Sequence, residues 1–159
     1  MRHSLWQSFQ FAGRGLREAF WTQRTMRIHT ILAGAVTAAV VWLDLPVADA
    51  AALIIAMVAV LATELINTAV EVIVDLQVGN RRHAQAGRAK DLSAAAVLVA
   101  AAGAAVVGLL VLGRPVTLML GLGRFDALTA GRGGVLLLVL ALVVVVLRRP
   151  AHRPDGKQG

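Results

Sequence analysis

Glu64, Asn67, Glu71 and Asp75 carry the chemistry on offer in this sequence, within the run Glu64-Leu-Ile-Asn-Thr-Ala-Val-Glu-Val-Ile-Val-Asp75. On an α-helix with Glu64 at zero, the other three fall at about 300°, 340° and 20°, so all four share one narrow stripe. The intervening residues are almost all apolar, as in a helix dissolved in lipid. There each ionised side chain costs ~2.5–3.5 kcal/mol on insertion scales, less near the interface. Three carboxylates on one face also repel one another. Contact between helices, or a solvated helix end, accounts for Asp75 but not for Glu64 and Glu71. A like-charged stripe becomes useful when a cation arrives, and Mg²⁺ fits best. This hard ion takes one or two carboxylates and completes its octahedron with waters and phosphates. The histidines at 3, 29, 83 and 152 show no paired ligand spacing, which argues against zinc.

Beyond a polar stretch, Arg88, Lys90 and Asp91 open the next apolar helix beside this stripe. A lysine there holds phosphate oxygens as a point charge; the excess of basic residues on the cytoplasmic side would also put some cations there. No Gly-rich phosphate loop of the soluble nucleotide-binding folds and no soluble-kinase motif set is present. The residues therefore predict a Mg²⁺–phosphate site at the membrane surface. Glu64 is placed to meet a lipid headgroup and Glu71 to meet something arriving from water. That arrangement suits phosphoryl transfer to a lipid hydroxyl.

The elements that must position these groups are helices in a membrane. The chain has 159 residues, is 58% hydrophobic and only 4% aromatic, and contains no cysteine, with a mean hydropathy of +0.73. Runs such as Ala50–Ile66, Leu92–Leu112 and Val135–Leu147 carry little or no charge. A domain this small has no core large enough to hide so much apolar surface. A soluble globular protein and a disulfide-stapled module are both excluded. The formal net charge of +7 is read as basic flanks meeting anionic lipid rather than nucleic acid. The N-terminus does not have the pattern of a cleaved signal peptide.

Residues 1–27 are expected to hold an amphipathic helix on the membrane surface, with Leu5, Trp6, Phe9, Leu16 and Phe20 on one face. Residues 28–112 then form three spans, the first from about Ile28 to Leu43. A tight turn over Asp44–Asp49 leads into a helix from Pro46 to Leu76, too long for the ~20 residues that cross the hydrocarbon. Residues 77–90 form a polar loop. The third span, Leu92–Leu112, is rich in alanine and glycine, a composition that lets membrane helices pack closely. Residues 113–132 connect to a short extra transmembrane helix at 133–147, followed by a basic cytoplasmic tail at 148–159. The distribution of Lys and Arg places both ends inside.

The segments Glu64-Leu-Ile-Asn-Thr-Ala-Val-Glu71…Asp75 and Gly87-Arg-Ala-Lys-Asp91, with Phe9…Gly15-Leu-Arg17 upstream, resemble the prokaryotic diacylglycerol kinase/undecaprenol kinase family over roughly residues 4–112. The resemblance implies an all-α integral membrane homotrimer in the bacterial inner membrane, with active sites shared between protomers. It also implies that ATP with Mg²⁺ phosphorylates a lipid alcohol. Glu64 would then accept the lipid hydroxyl proton while Asn67 orients groups beside it. Glu71 and Gln23 would lie at the metal. Phe11, Gln23, Glu71, Arg82, His83, Lys90 and Asp91 would lie at the nucleotide, and Arg17, Glu64 and Ala94 at the lipid. The chain departs from the family pattern at three places. Gln23 replaces a metal-binding glutamate, Phe11 an aromatic hydroxyl, and Arg81-Arg82 an acidic–aromatic pair, with one extra residue in that loop. Thr68, Asp75-Leu76, Arg27-Ile-His29 and Ala94 resemble the undecaprenol branch more than the diacylglycerol branch. A small multi-span transporter with Glu64 as coupling carboxylate is the alternative; it leaves Glu71, Asp75, Lys90 and Asp91 without a purpose.

Overall fold

The computed structural model describes residues 4–79, 83–119, 121, 133–134, 137 and 140–141. Its helices run in the order α1 (Leu5–Thr22), α2 (Arg24–Trp42), α3 (Val47–Val78) and α4 (Ala84–Met119). The last three are long and apolar enough to cross a membrane. Among the described residues the fold is all-helical, with three helices fit to span a membrane. Arg82, the greater part of 120–132 and the tail at 148–159 lie outside the described residues, as do most positions of the expected fourth span. Gly133, Gly134, Leu137, Leu140 and Ala141 are described, and are helical.

α1 starts at a capping box: the Ser4 hydroxyl accepts from the Gln7 N–H while the Gln7 side chain accepts from the Ser4 N–H. Leu5, Trp6, Phe9 and Leu16 are exposed, whereas Ala19 is buried against the rest of the fold. The break between α1 and α2 is a single residue. Gln23 takes an extended conformation (φ −101°, ψ 121°) and serves as the last cap of α1 and the first of α2. Arg24–Arg27 therefore belong to the first span rather than to the surface helix, because one extended residue turns the chain without a loop.

α3 and α4 make the most extensive contact. α2 packs on α3, and α1 touches the ends of both α2 and α3. The buried residues of α3 are Leu53, Val60, Glu64 and Asn67, spaced as one helical face. The polar stripe thus continues the apolar contact stripe instead of lying beside it. Met26 of α2 is buried as well.

Two expected boundaries move. The polar loop placed at 77–90 is shorter, since α3 runs to Val78 and α4 starts at Ala84; Arg88 and Lys90 are helical. Alanines at 84, 86 and 89 favour the helix there. Gly79 ends α3 with φ +56°, a conformation L side chains seldom adopt, and its N–H donates to the Asp75 carbonyl at 2.9 Å. At its other end α4 continues through Gly113 and Pro115 to Met119, so the connecting segment does not begin at 113. The Thr117 hydroxyl donates to the Arg114 carbonyl in that last turn. The glycines of α4 are not points of close approach within this chain. A Cβ added at Gly103, Gly108 or Gly113 would meet nothing within 4 Å. Gly134 differs: a Cβ there would stand 3.4 Å from Leu109 Cδ1, so the start of the fourth apolar run lies against α4.

Candidate active site

Depth along α3 separates the polar groups of the stripe. Glu64 lies seventeen residues past Val47, about 26 Å along the helix, and Glu71 about 10 Å further. A hydrocarbon core of ~30 Å measured from Val47 would end between the two.

The Glu64 side chain is only 2% exposed. The Thr25 hydroxyl of α2 donates to its Oε2 at 3.2 Å. One turn along α2, His29 Nε2 lies 3.3 Å from its Oε1. That second contact has the distance of an ion pair without the alignment of a hydrogen bond, so Oε1 is buried with no hydrogen-bond donor. A buried acceptor left open in this way is uncommon and calls for a reason.

Glu71 is surrounded differently. Both its oxygens accept from amides: Oε1 from Asn67 Nδ2 at 3.0 Å and Oε2 from Gln23 Nε2 at 3.2 Å. The extended corner at residue 23 turns that side chain in from between α1 and α2. Gln23 therefore faces the stripe. Asn67 is nearly buried, and its Oδ1 has no donor. Among the described residues, no group of three His, Cys, Asp or Glu converges as a metal cage. One carboxylate with two side-chain amides beside it can nonetheless offer an all-oxygen set if the amides present their oxygens. It fits Mg²⁺ when phosphates supply the remaining ligands. Gln23 would have to turn its amide to offer oxygen in place of N–H.

Further along the stripe, Asp75 pairs with Lys90 of α4. His83, Asp91 and Ala94 are exposed at the start of α4. No hydrogen bond or ion pair joins His83, Asp91 or Arg17 to the Glu64–Glu71 stripe among the described residues. Arg17 lines an open groove of α1 with Gln10, Gly13 and Arg14, and the Arg14 guanidinium stands 4.8 Å from the Phe11 ring centroid, within cation–π range. Thr25 and His29, as neighbours of Glu64, are the site residues that sequence reasoning missed. Their signal is a polar pair four residues apart at the start of an apolar span.

Residues 10–112 match a family model described as prokaryotic diacylglycerol kinase. The chain is 43% identical over 115 residues to a diacylglycerol kinase of Synechocystis sp., covering 68% of this chain and 66% of that relative. It is 34% identical over 105 residues to an undecaprenol kinase of Bacillus subtilis, covering 66% and 85%. With a diacylglycerol kinase of Escherichia coli K12 it shares 32% over 90 residues, covering 57% and 73%. The chain thus spans just under two thirds of the Synechocystis relative's length.

Proposed function

The chain belongs to the prokaryotic diacylglycerol kinase family of membrane lipid kinases. From that premise we propose that it transfers the γ-phosphoryl group of ATP to the hydroxyl of a membrane lipid at the cytoplasmic face of the bacterial inner membrane. Undecaprenol is favoured as the acceptor, with diacylglycerol close behind.

The observation that carries this reading is Glu64: a carboxylate at the edge of the apolar layer, one oxygen held by Thr25 and the other without a donor. A lipid hydroxyl supplies the missing donor. As its oxygen bonds to the γ-phosphorus and the bond to ADP breaks, Glu64 Oε1 takes its proton. General-base help of this kind is worth typically ~10²–10⁴-fold. Because Oε1 is sealed from water, the hydroxyl reaches it only when the side chains above it part, so access is a step of the cycle.

Glu71 and Gln23 would hold Mg²⁺ together with the ATP phosphates, and Asn67 fixes the Glu71 carboxylate through its N–H. The ion supplies charge neutralisation of the phosphates. Lys90 and Asp91 would meet the nucleotide from the start of α4, joined by Arg82 and His83 of the family pattern, and Arg17 and Ala94 would meet the lipid. We further propose a homotrimer with its sites at the seams between protomers. Most of each span's surface is exposed in a single chain, and the nucleotide residues on α4 are not joined to Glu71 within it. The transporter reading finds no support in the family placement.

Purified protein given labelled ATP, Mg²⁺ and each lipid in turn tests the proposal. Label is expected in both lipids and more in undecaprenol. Label in neither overturns the kinase reading, and preference for diacylglycerol overturns the choice of branch.

A further inference from the structure

Every turnover leaves a proton on Glu64, and that carboxyl must lose it before the next. With the site closed its side chain is 2% exposed, so water does not collect the proton directly from that state. Thr25 occupies Oε2 as a donor, and a hydroxyl is far too weak a base to hold an extra proton. Among the described residues, the remaining polar side chain against Glu64 is His29, whose Nε2 stands 3.3 Å from Oε1 and whose side chain is 21% exposed. One imidazole thus touches the sealed carboxyl on one side and the surroundings on the other.

We propose that His29 is the proton exit of the site, a relay that acts through Glu64. This rests on Glu64 being the base. Oε1, the oxygen without a donor, takes the hydroxyl proton. A small rocking of the ring aligns Oε1–H with Nε2, which accepts the proton as the Glu64 carboxylate is restored. The resulting imidazolium gives up a proton to water of the headgroup layer, since His29 stands five residues, about 7.5 Å of helix rise, from the start of α2. Imidazole suits this task because one ring nitrogen can accept a proton while the other releases one. No co-reactant is needed: the proton removed from the lipid hydroxyl ends on water, and both side chains return to their starting charge.

The position in the fold agrees. Thr25 and His29 are one turn apart on α2, so both reach one carboxylate. Thr25 fixes the Glu64 carboxyl in orientation, and His29 empties it. Nothing on α1 or α4 makes a hydrogen bond or ion pair with His29 among the described residues.

The test uses the full chain in detergent or vesicles with lipid, ATP and Mg²⁺. Three proteins are compared: wild type, His29→Gln, which keeps a donor near the Nε2 position but carries no proton onward, and His29→Ala. The relay predicts that both variants lose kcat, by tenfold or more, with KM for ATP and lipid within about twofold of wild type. Added imidazole should restore kcat to His29→Ala but not to His29→Gln. A His29→Gln enzyme with wild-type kcat overturns the relay. Loss of kcat in His29→Ala that imidazole does not restore, in protein of unchanged assembly and melting temperature, overturns it too. If wild type itself transfers no phosphate to lipid, the kinase reading fails instead.

Discussion

Glu64 and Glu71 are the same residue type, seven positions apart on one face of one helix, yet their surroundings have little in common. Glu64 is sealed, held by a hydroxyl on one oxygen, faced by an imidazole and left open on the other. Glu71 is half-buried and accepts an amide N–H on each oxygen. Roughly 10 Å of helix rise separates the two carboxylates. A buried, open acceptor suits moving a proton, whereas a flanked carboxylate within reach of water suits holding a cation. Identity of side chain does not assign a role; the neighbours do.

Replacing the two in turn is the strongest way to break that contrast. Glu64→Gln keeps the shape and removes the proton acceptor, so turnover should fall ~10²–10⁴-fold with assembly unchanged. Phosphorylation assays on purified protein decide this, and retention of more than a tenth of wild-type turnover removes the base role. Glu71→Gln should also be severe, but through the metal. Its loss should exceed the ~10–100-fold typical of deleting an outer partner of a metal ligand, and it should be relieved in part by raised Mg²⁺. Turnover titrated against Mg²⁺ measures this. A Glu71→Gln defect blind to Mg²⁺ would make the two carboxylates equivalent.

Gln23→Glu sharpens the contrast from the metal side. It adds a formal charge beside Glu71, worth about 1 kcal/mol of attraction for a nearby cation, or roughly fivefold in affinity. The half-maximal Mg²⁺ concentration for activity should fall by that order. In metal-free buffer the same variant should melt lower, because two carboxylates then face each other where an amide now donates to one at 3.2 Å. An unchanged Mg²⁺ dependence would remove Gln23 from the metal.

Asp75 extends the series outward. Its pair with Lys90 is exposed, at 62% and 37% of the two side chains, and pairs of this kind contribute only ~0–1 kcal/mol. Asp75→Asn should therefore shift the melting temperature by no more than a few degrees. Smallest of all should be truncation after Met119, which spares α1–α4 and every residue placed at the site. Activity within about twofold of wild type is expected, and inactive protein that still inserts and assembles would put the later segment into the site.

The α3 stripe is legible in the sequence because helix period and membrane cost act on the same residues: polar groups spaced on one face of an apolar run are too costly in lipid to stand there without a partner. The turn residues around Gly79 and Pro46 mark helix ends within a few positions. Thr25 and His29 are not legible as partners of Glu64, since what they face is decided by how α2 packs on α3, and no local pattern encodes that. The extension of α4 past Gly113 is hidden by Gly113 and Pro115, which argue locally against helix, yet the helix continues to Met119. The one-residue corner at Gln23 is likewise illegible, because glutamine has no strong preference for ending a helix. It is nonetheless this corner that turns the side chain toward Glu71.

The pairing of Thr25 and His29 with Glu64 also bears on how the protein is made. Synthesis runs from the N-terminus, so α2, with its hydroxyl and its imidazole, precedes α3 out of the ribosome. Glu64 follows Thr25 by 39 residues and carries an insertion cost of up to ~2.5–3.5 kcal/mol if it enters lipid charged and alone. A helix already lodged in the bilayer, with both groups near its N-terminal end, would receive that carboxylate as it arrives. The order of the spans along the gene is thus also an order of assembly, in which the receiving side chains are in place before the acid that needs them.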